Sequence, residues 1–293
     1  MGLFLPRRFT RQPQYGAVLD RSHPLAEGLV CALLPVGGAF VDCITGQVST
    51  QGDSANPTTK VVRNWNNGTS SPNFVTAQQN ANAGNNSTGQ VFVNNTTGVD
   101  KLTTTGTLIA VGGMDTTSAA TYTMFGSSEF VSVGTGCVLG IDNNFFQGPG
   151  RVCANVSNSG NANTFFLGNG SSNVLTANPG NLLHTFGVGW DGTNYYWYSA
   201  GAGFQRQSNA GTLSPVLQSN RKTAVGRGGQ GMALGGLNAF MALGLAWNRV
   251  LSAAEYFQLW LNPWALFQAP RNVWVPVGAA AVEQKRLMMM GVG

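Results

Sequence analysis

An all-β fold, a sandwich or barrel of short antiparallel strands, is predicted by three features of the sequence. Apolar runs recur about every ten to fifteen residues through the middle of the chain, Gly, Asn, Ser and Thr separate them, and charged residues are scarce. Asp, Glu, Lys and Arg make up only 9% of the 293 residues, whereas Gly alone counts 40. So few charges exclude a charged helical bundle or a coiled coil. The apolar share is 43% and includes 16 Phe and 7 Trp, enough to bury a core without staples.

Taken in order, the first twenty or so residues show neither strand nor helix periodicity and read as an extended arm. The run GLVCALLP from Gly28 is a buried-strand candidate, and AFVDCITG follows with a turn marked by Asp42 and Gly46. Residues 51–90 read as a loop-dominated face with short strands, since Asn, Ser, Thr and Gly leave only apolar islands there. Strand-like runs then return as QVFVN, GTLIAVGGM, TYTMFGS, FVSVGTGCVLGID, RVCANV and TFFLG. Large residues alternate on both sides of Asp191-Gly192, which predicts a hairpin.

One helix is predicted, at SAAEYFQLWLNP. Ser252 and Glu255 have capping-box spacing, Leu251 can staple onto Tyr256, and Asn262-Pro263 stops the helix. Phe257, Trp260 and Leu261 read as its apolar side, packed on the sandwich edge. From Arg271 the chain is apolar but aperiodic and reads as a second arm whose consecutive methionines need a covering neighbour.

The net charge of +5 is concentrated at the two ends. Residues 1–21 hold Arg7, Arg8, Arg11 and Arg21 against Asp20, and residues 271–293 hold Arg271, Lys285 and Arg286 against Glu283. The body is therefore neutral and lacks the basic face of a duplex-binding domain, so no nucleic-acid partner is expected. No apolar run is long enough to span a membrane, and the opening MGLFLPRRFTRQPQ does not have the layout of an export signal. The four cysteines lack zinc-ligand spacing and read as reduced, buried thiols, with a Cys31–Cys43 or Cys137–Cys153 bridge left open.

Two motifs carry a family resemblance. His184-Thr-Phe-Gly-Val-Gly-Trp-Asp-Gly resembles the hairpin of concanavalin A-like, laminin-G-type jelly rolls, and Asn248-Arg-Val-Leu-Ser-Ala-Ala-Glu resembles the closing signature of the same modules. Arg21-Ser-His-Pro-Leu-Ala-Glu-Gly-Leu-Val and Asn262-Pro-Trp-Ala-Leu-Phe resemble the ends of such modules in tailed-bacteriophage structural proteins. The resemblance covers about residues 20–270. It implies a two-sheet antiparallel jelly-roll sandwich over residues 22–270, with one short C-terminal helix and extended arms at 1–21 and 271–293.

It further implies a non-enzymatic virion protein, a lectin-like module made in the host cytoplasm and fixed by its arms to capsid or tail proteins as a decoration or fibre, in a symmetric homo-oligomer. Arg7, Arg8, Arg11, Arg271, Trp274, Met288, Met289 and Met290 are the expected docking residues. The alternative is a tail or fibre adhesin that grips cell-surface glycan.

The fold alone does not choose between these, so the side chains that could carry chemistry matter. Glycoside hydrolysis needs a pair of carboxyl groups at fixed separation, and the eleven acids are scattered, with Asp20, Asp42 and Asp191 explained by turns. His23 and His184 have no nucleophile elbow to serve. Gly226-Arg-Gly-Gly-Gln-Gly lacks the Lys-Ser/Thr of a phosphate loop. Sugars are held by aromatic faces with amide and carboxylate partners, which Trp190, Asp191, Asn194, Tyr195 and Trp197 could supply. Alternation sends Tyr195 and Trp197 to one face and Tyr196 and Tyr198 to the other, so one pair belongs to the core. No cofactor is expected; Asp142-Asn143-Asn144 could offer calcium oxygen ligands, but too few acids surround them for a tight site.

Overall fold

The computed structural model describes residues 9–10, 12–13, 17–36, 39–51, 57–62, 75–80, 90–91, 97–114, 120–128, 136–143, 151–156, 165–167, 183–199, 203–208, 222–225 and 239–269. In chain order the strands begin with β1 (Val18–Leu19), β2 (Leu29–Val36), β3 (Ala39–Asp42), β4 (Thr50–Gln51), β5 (Pro57–Val62) and β6 (Val75–Asn80). They continue with β7 (Gln90–Val91), β8 (Gly106–Met114), β9 (Ala120–Ser128), β10 (Gly136–Asn143), β11 (Arg151–Val156) and β12 (Phe165–Leu167). The last are β13 (His184–Trp190), β14 (Asn194–Ser199), β15 (Gly203–Ser208), β16 (Lys222–Val225), β17 (Ala239–Trp247) and β18 (Phe267–Gln268), with helix α1 at Ala253–Leu261.

The protein is an all-β antiparallel sandwich. A seven-stranded sheet runs β12-β11-β10-β9-β16-β7-β4, and a nine-stranded sheet runs β15-β14-β13-β8-β17-β2-β3, with β6 on β17 and β5 on β6. Every strand run expected between residues 28 and 199 coincides with part of one of these strands. Between the sheets lie Cys31, Leu33, Leu108, Phe186, Trp190 and Trp197 from the larger sheet against Leu139, Ile141, Val152, Ala154 and Val225 from the smaller.

The nine-stranded sheet has a second core on its other face. Ala32, Ile109, Val111, Leu243, Leu245 and Trp247 alternate with the inward set and pack with Tyr256 and Leu259 of α1 and with Trp264 and Phe267 beyond it. All seven residues of β13 are buried, because both faces of this strand are covered. The helix thus lies on the outer face of the larger sheet, over its edge strand β15 and over β13. Tyr198 donates to Leu251 O at 2.7 Å and Tyr256 donates to Thr185 O at 2.7 Å, fixing it there.

The expected capping box is present: Ser252 Oγ accepts from Glu255 N, and the Glu255 carboxylate accepts from Ser252 N at 2.8 Å. The buried side of α1 is Tyr256 and Leu259, one turn apart, whereas Phe257 and Leu261 are 53% and 37% exposed. Of the apolar side expected at Phe257, Trp260 and Leu261, Trp260 packs partly buried against the outer core, whereas Phe257 and Leu261 face outward, because the register is set by Tyr256 reaching the sheet. The closing motif has a physical role as well. Arg249 binds the Glu255 carboxylate at 2.7 Å and donates through Nε to Glu27 O at 2.9 Å, joining helix, sheet and the first turn of the sandwich.

Part of the expected N-terminal arm belongs to this body. β1 pairs with β18, Asp20 N donates to Leu266 O, Phe9 N donates to Phe267 O and Gln12 Nε2 reaches Ala242 O. Leu19 is a member of the outer core. The segment 271–293 lies outside the described residues.

The inter-sheet core leaves no room at Gly106, where an added Cβ would stand 2.5 Å from Trp190 Cζ2. Gly106→Ala is expected to lower stability by about 1–3 kcal/mol through overpacking, read as a lower urea midpoint at unchanged slope.

Candidate functional site

The hairpin that carries the expected sugar-binding residues is β13–β14, in register as Gly187↔Tyr198 to Trp190↔Tyr195. Its connection is the three residues Asp191–Thr193, with Gly192 at φ 90°, a left-handed conformation that glycine takes without strain. Asp191 organises this turn. One carboxylate oxygen accepts from Thr193 N at 3.1 Å and Asn194 N at 2.8 Å, and the other accepts from Asn194 Nδ2 at 3.0 Å and from the Tyr196 hydroxyl. Burial by itself would raise the Asp191 carboxyl, but the bonds from Tyr196, Asn194 and Thr193 outweigh it and hold the group well below the usual carboxylate range.

The aromatic residues divide between two layers. Trp190, Tyr195 and Trp197 are fully buried between the sheets, and Trp190 Nε1 donates to Thr103 O at 2.7 Å. Their ring faces are covered by core side chains, so this half of the expected sugar set is structural. The pair sent to the other face forms a ladder: Tyr196 packs on Phe204 at 5.5 Å, Phe204 on Tyr198 at 5.6 Å and Tyr198 on Tyr256 at 5.2 Å. Tyr196 and Phe204 are half-buried, and beside them Arg206 is exposed, its Nη2 donating to Asn194 Oδ1 at 3.1 Å.

The surface set on this hairpin is therefore Tyr196, Phe204 and Arg206 around Asp191 and Asn194. Phe204 and Arg206 lie on β15, whose sequence GFQRQS has weak apolar alternation, and only the cross-strand register Tyr196↔Arg206 and Tyr198↔Phe204 makes them neighbours. The docking residues Arg7, Arg8, Arg11, Arg271, Trp274, Met288, Met289 and Met290 lie outside the described residues.

Three other described carboxylates are occupied by local or cross-strand donors. Asp20 accepts from Ser22 N and Oγ, and buried Asp42 accepts from Ala32 N, Ile44 N and Thr45 Oγ1. Asp100 accepts from Ser127 and Thr223, linking a 3-10 turn at Gly98–Lys101 to β9 and β16. Among the described residues no three His, Cys, Asp or Glu side chains gather into a set that could hold a metal ion. Asp142 and Asn143 end β10, and Asn144 lies outside the described residues.

The four cysteines are thiols. Cys31 and Cys43 belong to opposite faces of the larger sheet, and Cys137 faces the inter-sheet core while its neighbours Val152 and Ala154 leave Cys153 on the far side, so neither open pairing forms. Burial, with Asp42 nearby, pushes the Cys43 thiol up to about 12 and Cys31 up as well, which suppresses the nucleophilic thiolate at neutral pH.

Neither histidine is set up for catalysis. His23 Nδ1 accepts from Leu25 N at 3.1 Å and caps the turn Pro24–Ala26. His184 shares the inward face of β13 with Phe186 and Val188, and both ring nitrogens are buried without a hydrogen-bond partner. Burial lowers its pKa from 6.5 to about 4.

No family model matches the chain, and no curated protein matches it. Among solved structures, a mutant of HCR/D aligns with a TM-score of 0.50 at 11% identity, over 81% of this chain and 52% of that one. The receptor-binding domain of botulinum neurotoxin type G aligns at 0.49 and 10%, over 80% and 51%, and Trypanosoma rangeli sialidase at 0.45 and 13%, over 83% and 35%. The chain thus spans about half the length of the first of these or less. The HCR/D likeness supports the fold, an antiparallel β-sandwich.

His184 gives a pH prediction. The unfolded chain takes up its proton near pH 6.5 and the folded protein only near 4, so stability from this group is complete above 6.5 and is lost as pH falls toward 4. The loss is about 3 kcal/mol, and His184→Leu should remove that part of the slope when urea midpoints are compared from pH 7 to 4.

Proposed function

We propose that this protein is a non-enzymatic virion structural component of a bacteriophage, a lectin-like sandwich attached by its terminal segments to capsid or tail proteins in a symmetric oligomer. The observation that carries this reading is the division of charge: the whole net charge of +5 lies in the two ends, and the sandwich between them is neutral. A neutral body on basic, apolar ends suits a lattice in which many weak contacts add up. The occupation of Asp20, Asp42 and Asp191 by their own turns supports a role without hydrolysis.

The test follows the observed boundary of the body. Because Phe9 and residues 17–21 are bonded to the sandwich, truncation should remove 1–8 or 270–293 and no more. Both truncated chains are expected to keep the parent's melting temperature and to be lost from phage particles banded on a density gradient. A full-length chain that stays in the soluble fraction, away from particles, overturns the reading.

A second reading, a glycan-binding adhesin, is favoured by one feature, the half-buried Tyr196–Phe204 pair beside exposed Arg206. Binding of the full chain on a glycan array, abolished by Arg206→Ala at unchanged melting temperature, is the expected result for an adhesin. An array without binding removes it. Tyr195→Ala and Trp197→Ala do not serve this purpose, since both rings are core and their loss costs stability of about 3–5 kcal/mol.

A further inference from the structure

We propose that Arg206, with the rings of Tyr196 and Phe204 beside it, is a receptor for the carboxylate of an acidic sugar. This rests on the adhesin reading above and names the class of glycan that the same edge would take.

The guanidinium is held by a chain of hydrogen bonds that starts in the hairpin turn. Asn194, only 7% exposed, gives its Nδ2 to the Asp191 carboxylate at 3.0 Å. That commitment fixes the amide so that Oδ1 is left to accept from Arg206 Nη2 at 3.1 Å. Arg206 itself is exposed, and among the described residues this is its one hydrogen bond, with no ion pair. The rest of its five donors are therefore available to a ligand, on a group already oriented by a buried anchor.

The acids near this edge are spent elsewhere. The Asp191 carboxylate is turned into the hairpin, where Thr193, Asn194 and Tyr196 occupy both oxygens. On the helix side, Glu255 is paired with Arg249 at 2.7 Å. A planar guanidinium with free donors matches a carboxylate bidentately.

The neighbouring rings select a sugar among carboxylates. Register places Tyr196 opposite Arg206 and Tyr198 opposite Phe204, so these side chains share the outer face of the larger sheet. Tyr196 and Phe204 pack at 5.5 Å and are both half-buried, which makes an apolar shelf for the C–H face of a pyranose ring. A small free anion would use the guanidinium alone and gain nothing from the shelf. An acidic peptide asks for several cations, and Arg206 is the one cation in the sequences of β14 and β15.

The test is an array of matched pairs, each uronic acid glycan beside its carboxyl-reduced, neutral form, probed with the full chain. Soluble acetate and poly-glutamate serve as competitors. The acid member is expected to bind at least about tenfold more tightly than its reduced partner, the gain of a charge-assisted pair. Arg206→Gln should bring the acid member down to the level of the reduced one at unchanged melting temperature. Arg206→Lys, which keeps the charge without the fork, should restore only part of the preference. Acetate should compete only at concentrations far above those of the free glycan.

Equal binding of acid and reduced members overturns this inference and leaves the adhesin reading standing, as does an acid preference that survives Arg206→Gln. Poly-glutamate binding more tightly than any acidic glycan replaces the sugar with a protein ligand and overturns it too. An array on which no member binds removes this inference and the adhesin reading together.

Discussion

The larger sheet has no solvent face at its centre, and the rest of the molecule is arranged to satisfy that constraint. Strands β13, β8 and β17 send Phe186, Leu108 and Met241 toward one core and Ile109, Leu243 and Trp247 toward the other. Two apolar faces need two covers. The seven-stranded sheet provides one, and α1, the turns around it and the ends of the described chain provide the other. This is why Leu19 and Phe267, far apart in sequence, close the same core.

The covering layer is held by polar groups as much as by area. Trp247 Nε1 donates to Leu25 O, Tyr198 to Leu251 O and Tyr256 to Thr185 O, each at 2.7 Å. A buried ring with an unpaired N–H or O–H would cost part of what its burial contributes, and Trp247, Tyr198 and Tyr256 each bring their own anchor. Arg249 extends the same logic, since one guanidinium serves Glu255 on the helix and Glu27 O at the start of the sandwich. The signature around residue 249 is in this sense a joint between layers.

The same economy shapes what the protein can do chemically. Asp20, Asp42, Asp100 and Asp191 are each committed to backbone or hydroxyl donors. The Cys31 and Cys43 thiols are held protonated by burial, and His184 is neutral and enclosed. Among the described residues, the surface includes the Tyr196–Phe204–Arg206 edge and Phe257 with Leu261 on α1.

Strand positions, the hairpin, the capping box and the division of charge were legible in the chain itself, because they depend on local patterns: alternation, a Gly in a tight turn, Ser252 three residues before Glu255, and Arg residues gathered at the ends. Which aromatic pair of β14 belongs between the sheets was not, since alternation separates Tyr195 and Trp197 from Tyr196 and Tyr198 without saying which face meets the second sheet. The side of α1 that is buried was hidden for a related reason. Its apolar residues surround more than half the helix, and only the Tyr256 bond to β13 decides that Leu259 turns inward and Phe257 outward. The neighbourhood of Arg206 and Tyr196, and of Phe9 and Asn262, arises from pairings across strands and across the whole chain, which no local pattern encodes.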